Sequence, residues 1–104
     1  MEKQALIEKA KRLDVHPNIK QGVLNILEYI TQEERKKLHI VEEFQSEFYL
    51  EYNGSQIIQT LRQYDYAGTP TIKSSAPILV KDLPELYFKY QVQIDEALTK
   101  GKRF

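Results

Sequence analysis

His39 and Glu43 stand four residues apart in a chain with only two histidines. On a helix that spacing would bring an imidazole beside a carboxylate, as two metal ligands or as a base with its orienting partner. A third ligand could come only from His16, which lies in the helix-breaking segment Asp14-Val15-His16-Pro17-Asn18. Two ligands do not hold a metal, so His39 and Glu43 read as an ordinary surface pair and no metal site is expected. Ser46, Ser55, Ser74 and Ser75 have no histidine beside them in a nucleophile-elbow pattern, and the four glycines make no phosphate-cradling motif. The absence of cysteine excludes thiolate nucleophiles, disulfides and cysteine-ligated zinc. With no assembled catalytic constellation and no cofactor motif, the expected mode of action is binding rather than catalysis.

The residues suited to binding are the aromatic and basic ones. Arg35-Lys36-Lys37, with Lys9, Lys11 and Arg12, could face a nucleic-acid backbone, and short helices joined by tight turns would suit a helix-turn-helix. Glu33, Glu34, Glu42, Glu43 and Glu47 surround that triplet, however, and the chain carries 15 basic and 15 acidic residues. A solvated face with ion pairs is the expectation, and no nucleic-acid partner. A small DNA-binding regulator or phage-type adaptor is the alternative reading. Seven tyrosines, at 29, 49, 52, 64, 66, 87 and 90, combine apolar area with a polar tip. Tyr87, Phe88 and Tyr90 occupy more than one face of a helix, so at least one ring there should be exposed.

The elements that would carry these residues read as helices. Ala5, Leu6, Ala10 and Leu13 mark a short amphipathic helix over 2–13, and Ile19, Val23, Ile26, Leu27 and Ile30 mark a second. His16 precedes a first-turn Pro17, or Asn18 is the N-cap. Thr31-Gln32-Glu33-Glu34 has the form of a capping box opening a third helix through Leu38, Val41, Phe44, Phe48 and Tyr52. Asn53-Gly54 would end it, and Ile57, Ile58, Leu61 and Tyr64 mark a fourth. A hairpin turning at Asn53-Gly54 between strands at 47–52 and 55–60 is the rival, set aside because Phe44, Phe48 and Tyr52 keep a helical step. Residues 67–82 read as a long loop with Pro77–Val80 extended, before a last helix opened by Asp82-Leu83-Pro84-Glu85 and stopped by Gly101.

The expected fold is therefore all-α: one domain over 1–104, an antiparallel four-helix bundle with an additional short N-terminal helix and a long loop before the last helix. The charged N-terminus offers no signal peptide, and the longest aliphatic run, Ile78-Leu79-Val80, is far short of the roughly 20 residues that span a bilayer. The expected location is the cytoplasm.

Ile30-Thr31-Gln32-Glu33-Glu34-Arg35, followed by Leu38, Ile40 and Glu42, resembles the entry to the second bundle helix of bacteriocin immunity proteins of the lactococcin A and enterocin A type. Ile57-Ile58 with Leu61-Arg62 is similar to that family's next helix, and Asp82-Leu83 with Glu85-Leu86-Tyr87 to the start of its last. The resemblance spans about residues 30–90. It implies a cytoplasmic four-helix bundle in a Gram-positive bacterium, protecting against a pore-forming class II (pediocin-like or related) bacteriocin. The partner would be the membrane receptor with bound bacteriocin, the mannose phosphotransferase permease components, engaged from the inner side. The partner-binding residues expected on this reading are Tyr87, Lys89, Tyr90, Lys100, Lys102, Arg103 and Phe104, on a monomer with weak, salt-sensitive attachment to the inner leaflet.

Overall fold

The apolar stripe at Val23, Ile26, Leu27 and Ile30 forms the helix expected of it: α2 (Pro17–Ile30) buries all four completely. Pro17 sits in the first turn, where its missing N–H costs no helical bond, and His16 is the N-cap, its Nδ1 accepting the Asn18 N–H at 3.1 Å. Before it, α1 (Lys3–Lys11) packs against α2 with Leu6, Ile7 and Ala10 buried. The structure is a computed structural model and describes residues 2–101.

Beyond Thr31 the all-α four-helix bundle is overturned. Thr31 does not open a third helix; it closes α2, its hydroxyl donating to the Leu27 carbonyl. The following residues form β1 (Leu38–Glu43), β2 (Ser46–Tyr52), β3 (Ile57–Tyr64) and β4 (Pro70–Ile78), an antiparallel sheet in the order β1-β2-β3-β4. The fold is α+β. The physical reason is an ambiguity of spacing: residues four apart share a face on a helix and on a strand alike, because four is a multiple of the strand period of two. Phe48 and Tyr52 satisfied both templates. β-Branched and aromatic enrichment, which favours strands, is the signal that should have weighed more.

The hairpin at Asn53-Gly54 is the one that forms. Gly54 adopts φ 96°, a region open to glycine, while the Asn53 carboxamide oxygen accepts the N–H groups of Ser55 and Gln56 at 2.9 and 2.7 Å. The stretch expected as a loop over 67–82 is mostly β4. Only Asp65–Thr69 turns, folded on the Asp65 carboxylate, which accepts from Ala67 and Thr69 N–H at 2.9 and 2.8 Å. After β4 comes a single 3-10 turn, Val80–Asp82, and the expected last helix divides at Tyr90 into α3 (Leu83–Lys89) and α4 (Gln91–Gly101).

One face of the sheet makes the core, burying Leu38, Phe48, Leu50, Tyr52 and Ile57 in a single cluster with α2 and with Leu83, Tyr87, Ile94 and Leu98 of the C-terminal helices. α4 lies along β1, α2 reaches β1 and β2, and α3 packs on α2. This last contact needs glycine. A Cβ at Gly22 would come within 2.3 Å of the Tyr87 ring, so α3 can approach only because that position has no side chain. Among the described residues no helix is long and apolar enough to cross a membrane.

Candidate binding surface

Among the described residues, strand β4 has β3 as its only extensive neighbour, and eight of its nine residues are exposed. The hairpin fixes which of its backbone groups are free. The Asn53 N–H donates to the Gln56 carbonyl at 3.1 Å, so by alternation Ile58, Thr60 and Arg62 exchange ladder bonds with β2, while Ile57, Gln59, Leu61 and Gln63 turn theirs toward β4. Their partners there are Ile78, Ala76, Ser74 and Ile72. The backbone groups of Lys73, Ser75 and Pro77 therefore face away from the sheet. The Tyr64 N–H, donated to the Gln45 carbonyl at 2.9 Å, keeps the same parity. Pro77 has no N–H to leave unpaired, which is the one way a proline fits a strand edge without loss.

On the core-side face, a groove of about 410 Å³ runs between this half of the sheet and α3, with Leu61, Ala76 and Ile78 on one wall and Leu86 and Tyr90 on the other. Its rim carries Asp82, Glu85 and Lys89, charges of both signs. The same end of the sheet leaves large apolar groups in solvent: Ile72, Leu61, Phe44 in the β1–β2 turn and Tyr66 in the β3–β4 turn, the last two 80% and 90% exposed. A second groove, about 540 Å³, opens between α1 and the Ile57/Ile78 end of β3 and β4. A third, about 580 Å³, lies between β1 and α4, with Lys36, Lys37, Glu42, Glu43, Glu96 and Lys100 among its lining.

Among the described residues no helix covers the opposite face of the sheet, yet Tyr49 and Thr60 on it are nearly buried. Long polar side chains roof them. Lys37 lies 4.9 Å and Arg62 5.9 Å from the Tyr49 ring centre, the His39 ring sits tilted beside it at 5.3 Å, and the Thr60 and Ser75 hydroxyls are 3.0 Å apart. The Arg62 guanidinium has its pKa raised by a hydrogen bond with Tyr64 and by the charge fields of Tyr49, Tyr64 and Glu47, against a smaller desolvation effect. Such a roof is cation-π packing over an aromatic ring.

The sequence-derived candidates divide. Tyr87 is buried: its ring fills the space over Gly22 and its hydroxyl donates to Asp95 at 2.9 Å, with the phenol pKa raised by burial and by that bond. In this position the ring packs between α2 and α3 rather than facing solvent. Lys89 and Tyr90 do line the α3 groove, Lys89 lying 5.3 Å from the Tyr90 ring and Tyr90 against Phe48. The exposed ring expected on the last helix is Phe88, 74% exposed. Lys100 is exposed on α4 and lines the groove beside β1, not the α3 groove. Lys102, Arg103 and Phe104 lie outside the described residues.

His39 and Glu43 are not a helical pair. Their partners across β1–β2 are Tyr49 and Ser46, an odd number apart, so a bulge between His39 and Val41 leaves the two on opposite faces. The carboxylate near His39 is Glu47, 4.0 Å from Nδ1. Among the described residues no three of His, Asp and Glu gather as a metal site would need. The free edge of β4 was missed in the sequence. Its signal was Pro70 and Pro77 bracketing a polar run with Lys73, a pattern that protects edge strands.

No family model, curated protein or solved structure matches this chain.

Proposed function

We propose that this chain is a binding module, not an enzyme, and that it takes an extended segment of a partner protein as a fifth strand on β4. The observation that carries the proposal is the outward-facing backbone of Lys73, Ser75 and Pro77 on a strand with no cover. An added strand would satisfy these groups through main-chain hydrogen bonds, and its alternate side chains would reach the apolar groups around Leu61, Ile72 and the α3 groove. Main-chain pairing would supply affinity and the groove the selectivity.

Hydrogen exchange followed amide by amide tests this. In the free protein the Lys73 and Ser75 amides exchange fast while Ser74 and Ala76 are protected. With a partner isolated by a photo-crosslinker at position 75, the two fast amides become protected, and Lys73→Pro abolishes both crosslink and protection. A complex that leaves both amides exchanging as before, or one indifferent to Lys73→Pro, ends the proposal. Protection that appears at high concentration without a partner would assign the edge to self-pairing instead.

Immunity to a pore-forming bacteriocin is the narrower form of a binding role. It rests on the resemblance alone, since two of the segments that carried it, Leu38–Glu42 and Ile57–Arg62, are strands where the family would have helices. Producing the chain in a sensitive strain and challenging with a panel of such bacteriocins tests it: selective survival supports it, unchanged sensitivity to all removes it.

A further inference from the structure

The groove beside α1 differs from the other two in the sign of its charge. Its walls are Leu6 and Leu13 from the N-terminal region, Ile57 from β3, and Ile78, Leu79 and Val80 leaving β4. The charged groups in its lining are, among the described residues, Lys9 and Lys81, with no carboxylate. Among the described residues the lysine ion pairs are Lys3 with Glu28 and Lys11 with Glu8, so neither Lys9 nor Lys81 has an acidic partner. A volume of about 540 Å³ falls within the roughly 300–1,000 Å³ of small-molecule sites, which are apolar with a few placed polar groups.

The backbone around the groove argues against a peptide. The N–H groups of Ser55 and Gln56 are taken by the Asn53 side chain, that of Leu79 donates to Asp82 Oδ2 at 3.3 Å, and Ile57 and Ile78 face each other in the ladder. The outward-facing Pro77 carbonyl is one free acceptor beside these taken groups, too few for a peptide, whose remaining N–H and C=O groups would leave water without partners, a cost that an alkyl chain does not carry. We propose that this groove binds a single-chain amphipathic molecule with a carboxylate head group, its tail against Leu6, Leu13, Ile57 and Val80 and its head group between Lys9 and Lys81. The groove adjoins the β4 edge at Pro77 but its lining includes neither Lys73 nor Ser75, the two outward amides on which the strand-addition test reads, so the two proposals fail separately.

The test is calorimetric titration of the full chain with sodium decanoate below its micelle-forming concentration. Decyltrimethylammonium serves as the same tail with the opposite charge, and sodium butyrate as the same head group without the tail. Saturable one-to-one binding of decanoate is expected, with amide shifts at Leu6, Ile57 and Val80, and binding of the two controls at least tenfold weaker. Lys9→Gln and Lys81→Gln each weaken decanoate binding up to about fivefold, the size of an exposed ion pair, while Lys9→Arg and Lys81→Arg retain it. Both lysines are exposed, and unchanged circular dichroism confirms that the variants fold. Equal binding of the cationic amphiphile, decanoate affinity unchanged in the double Gln variant, or an acidic amphipathic peptide displacing decanoate from these residues would each overturn the proposal.

Discussion

The sheet has two edge strands, and they are handled in opposite ways. β1 is short, carries Leu38 and Ile40 into the core, and has α4 alongside; β4 is longer, contributes almost nothing to the core, and runs bare. An edge strand must be covered or guarded, because its unpaired backbone is a template for another chain. Here cover was given to the edge that supplies apolar side chains, and the other edge was guarded by composition: proline near each end and a lysine in the middle. Those guards limit the open window to a few residues. They do not close it, since Lys73 and Ser75 still present backbone donors outward.

The largest effect should come from removing the cover. Ile94 is fully buried on α4, and Ile94→Ala removes its packing and leaves a cavity, a loss of about 3 kcal/mol. Urea unfolding measures it. The amides of β1 should exchange faster in this variant while the outward amides of β4 stay as fast as before, so a uniform change along both edges would erase the distinction between them.

Next is the contact that seats α3 against α2. Gly22→Ala adds a methyl group 2.3 Å from the Tyr87 ring, and overpacking of this kind costs about 1–3 kcal/mol, partly offset by alanine's better helix propensity. The net loss should be up to about 2 kcal/mol, read as a lowered Tm. Combining it with Tyr87→Ala should give less than the sum of the two single effects, because the ring that the methyl meets is gone.

Much of the helical half was legible in the sequence and the sheet was not. Val23, Ile26, Leu27 and Ile30 mix steps of three, one and three, which only a helix satisfies. Phe44, Phe48 and Tyr52 step by four, which a strand satisfies equally, so these spacings could not decide. β4 offered no period at all: with both faces wetted, Thr71-Ile72-Lys73-Ser74-Ser75-Ala76 has no reason to alternate, and its strand state is imposed by pairing with β3. Of the candidate contacts, Lys89 and Tyr90 reached the α3 groove, whereas Tyr87 had the same composition signal and turned inward because Gly22 lay opposite. Lys9 and Lys81 share a groove through tertiary packing that no local pattern encodes.

The two registers of β4 can be separated by proline. Ser74 faces Leu61 in the ladder and Lys73 faces outward, so Ser74→Pro removes a paired N–H and leaves the carbonyl of Leu61 without its donor, costing about 2 kcal/mol. Lys73→Pro removes an outward N–H and should cost clearly less, while abolishing strand addition. Thermal unfolding of the pair checks the parity: equal losses would mean that the hairpin does not fix the edge as described.

The smallest effect concerns the bond that ties α3 to α4 and so holds the cover over β1. Tyr87→Phe keeps the ring over Gly22 but loses the hydrogen bond to Asp95, a cost of about 1 kcal/mol at neutral pH. The pH dependence gives a second readout with a definite sign. Burial first, and the Asp95 bond next, raise the Tyr87 pKa in the folded protein, so above the ordinary tyrosine value of about 10 the unfolded chain releases its proton while the folded one still holds it. The contribution is complete below that pH and declines as the pH rises through the folded value. Wild type should therefore lose stability more steeply than Tyr87→Phe from about pH 10 upward, narrowing the gap between them. A gap that stays constant across that range would show that the phenol is as free to ionise folded as unfolded, and that α4 is held over β1 by apolar packing at Ile94 and Leu98 alone.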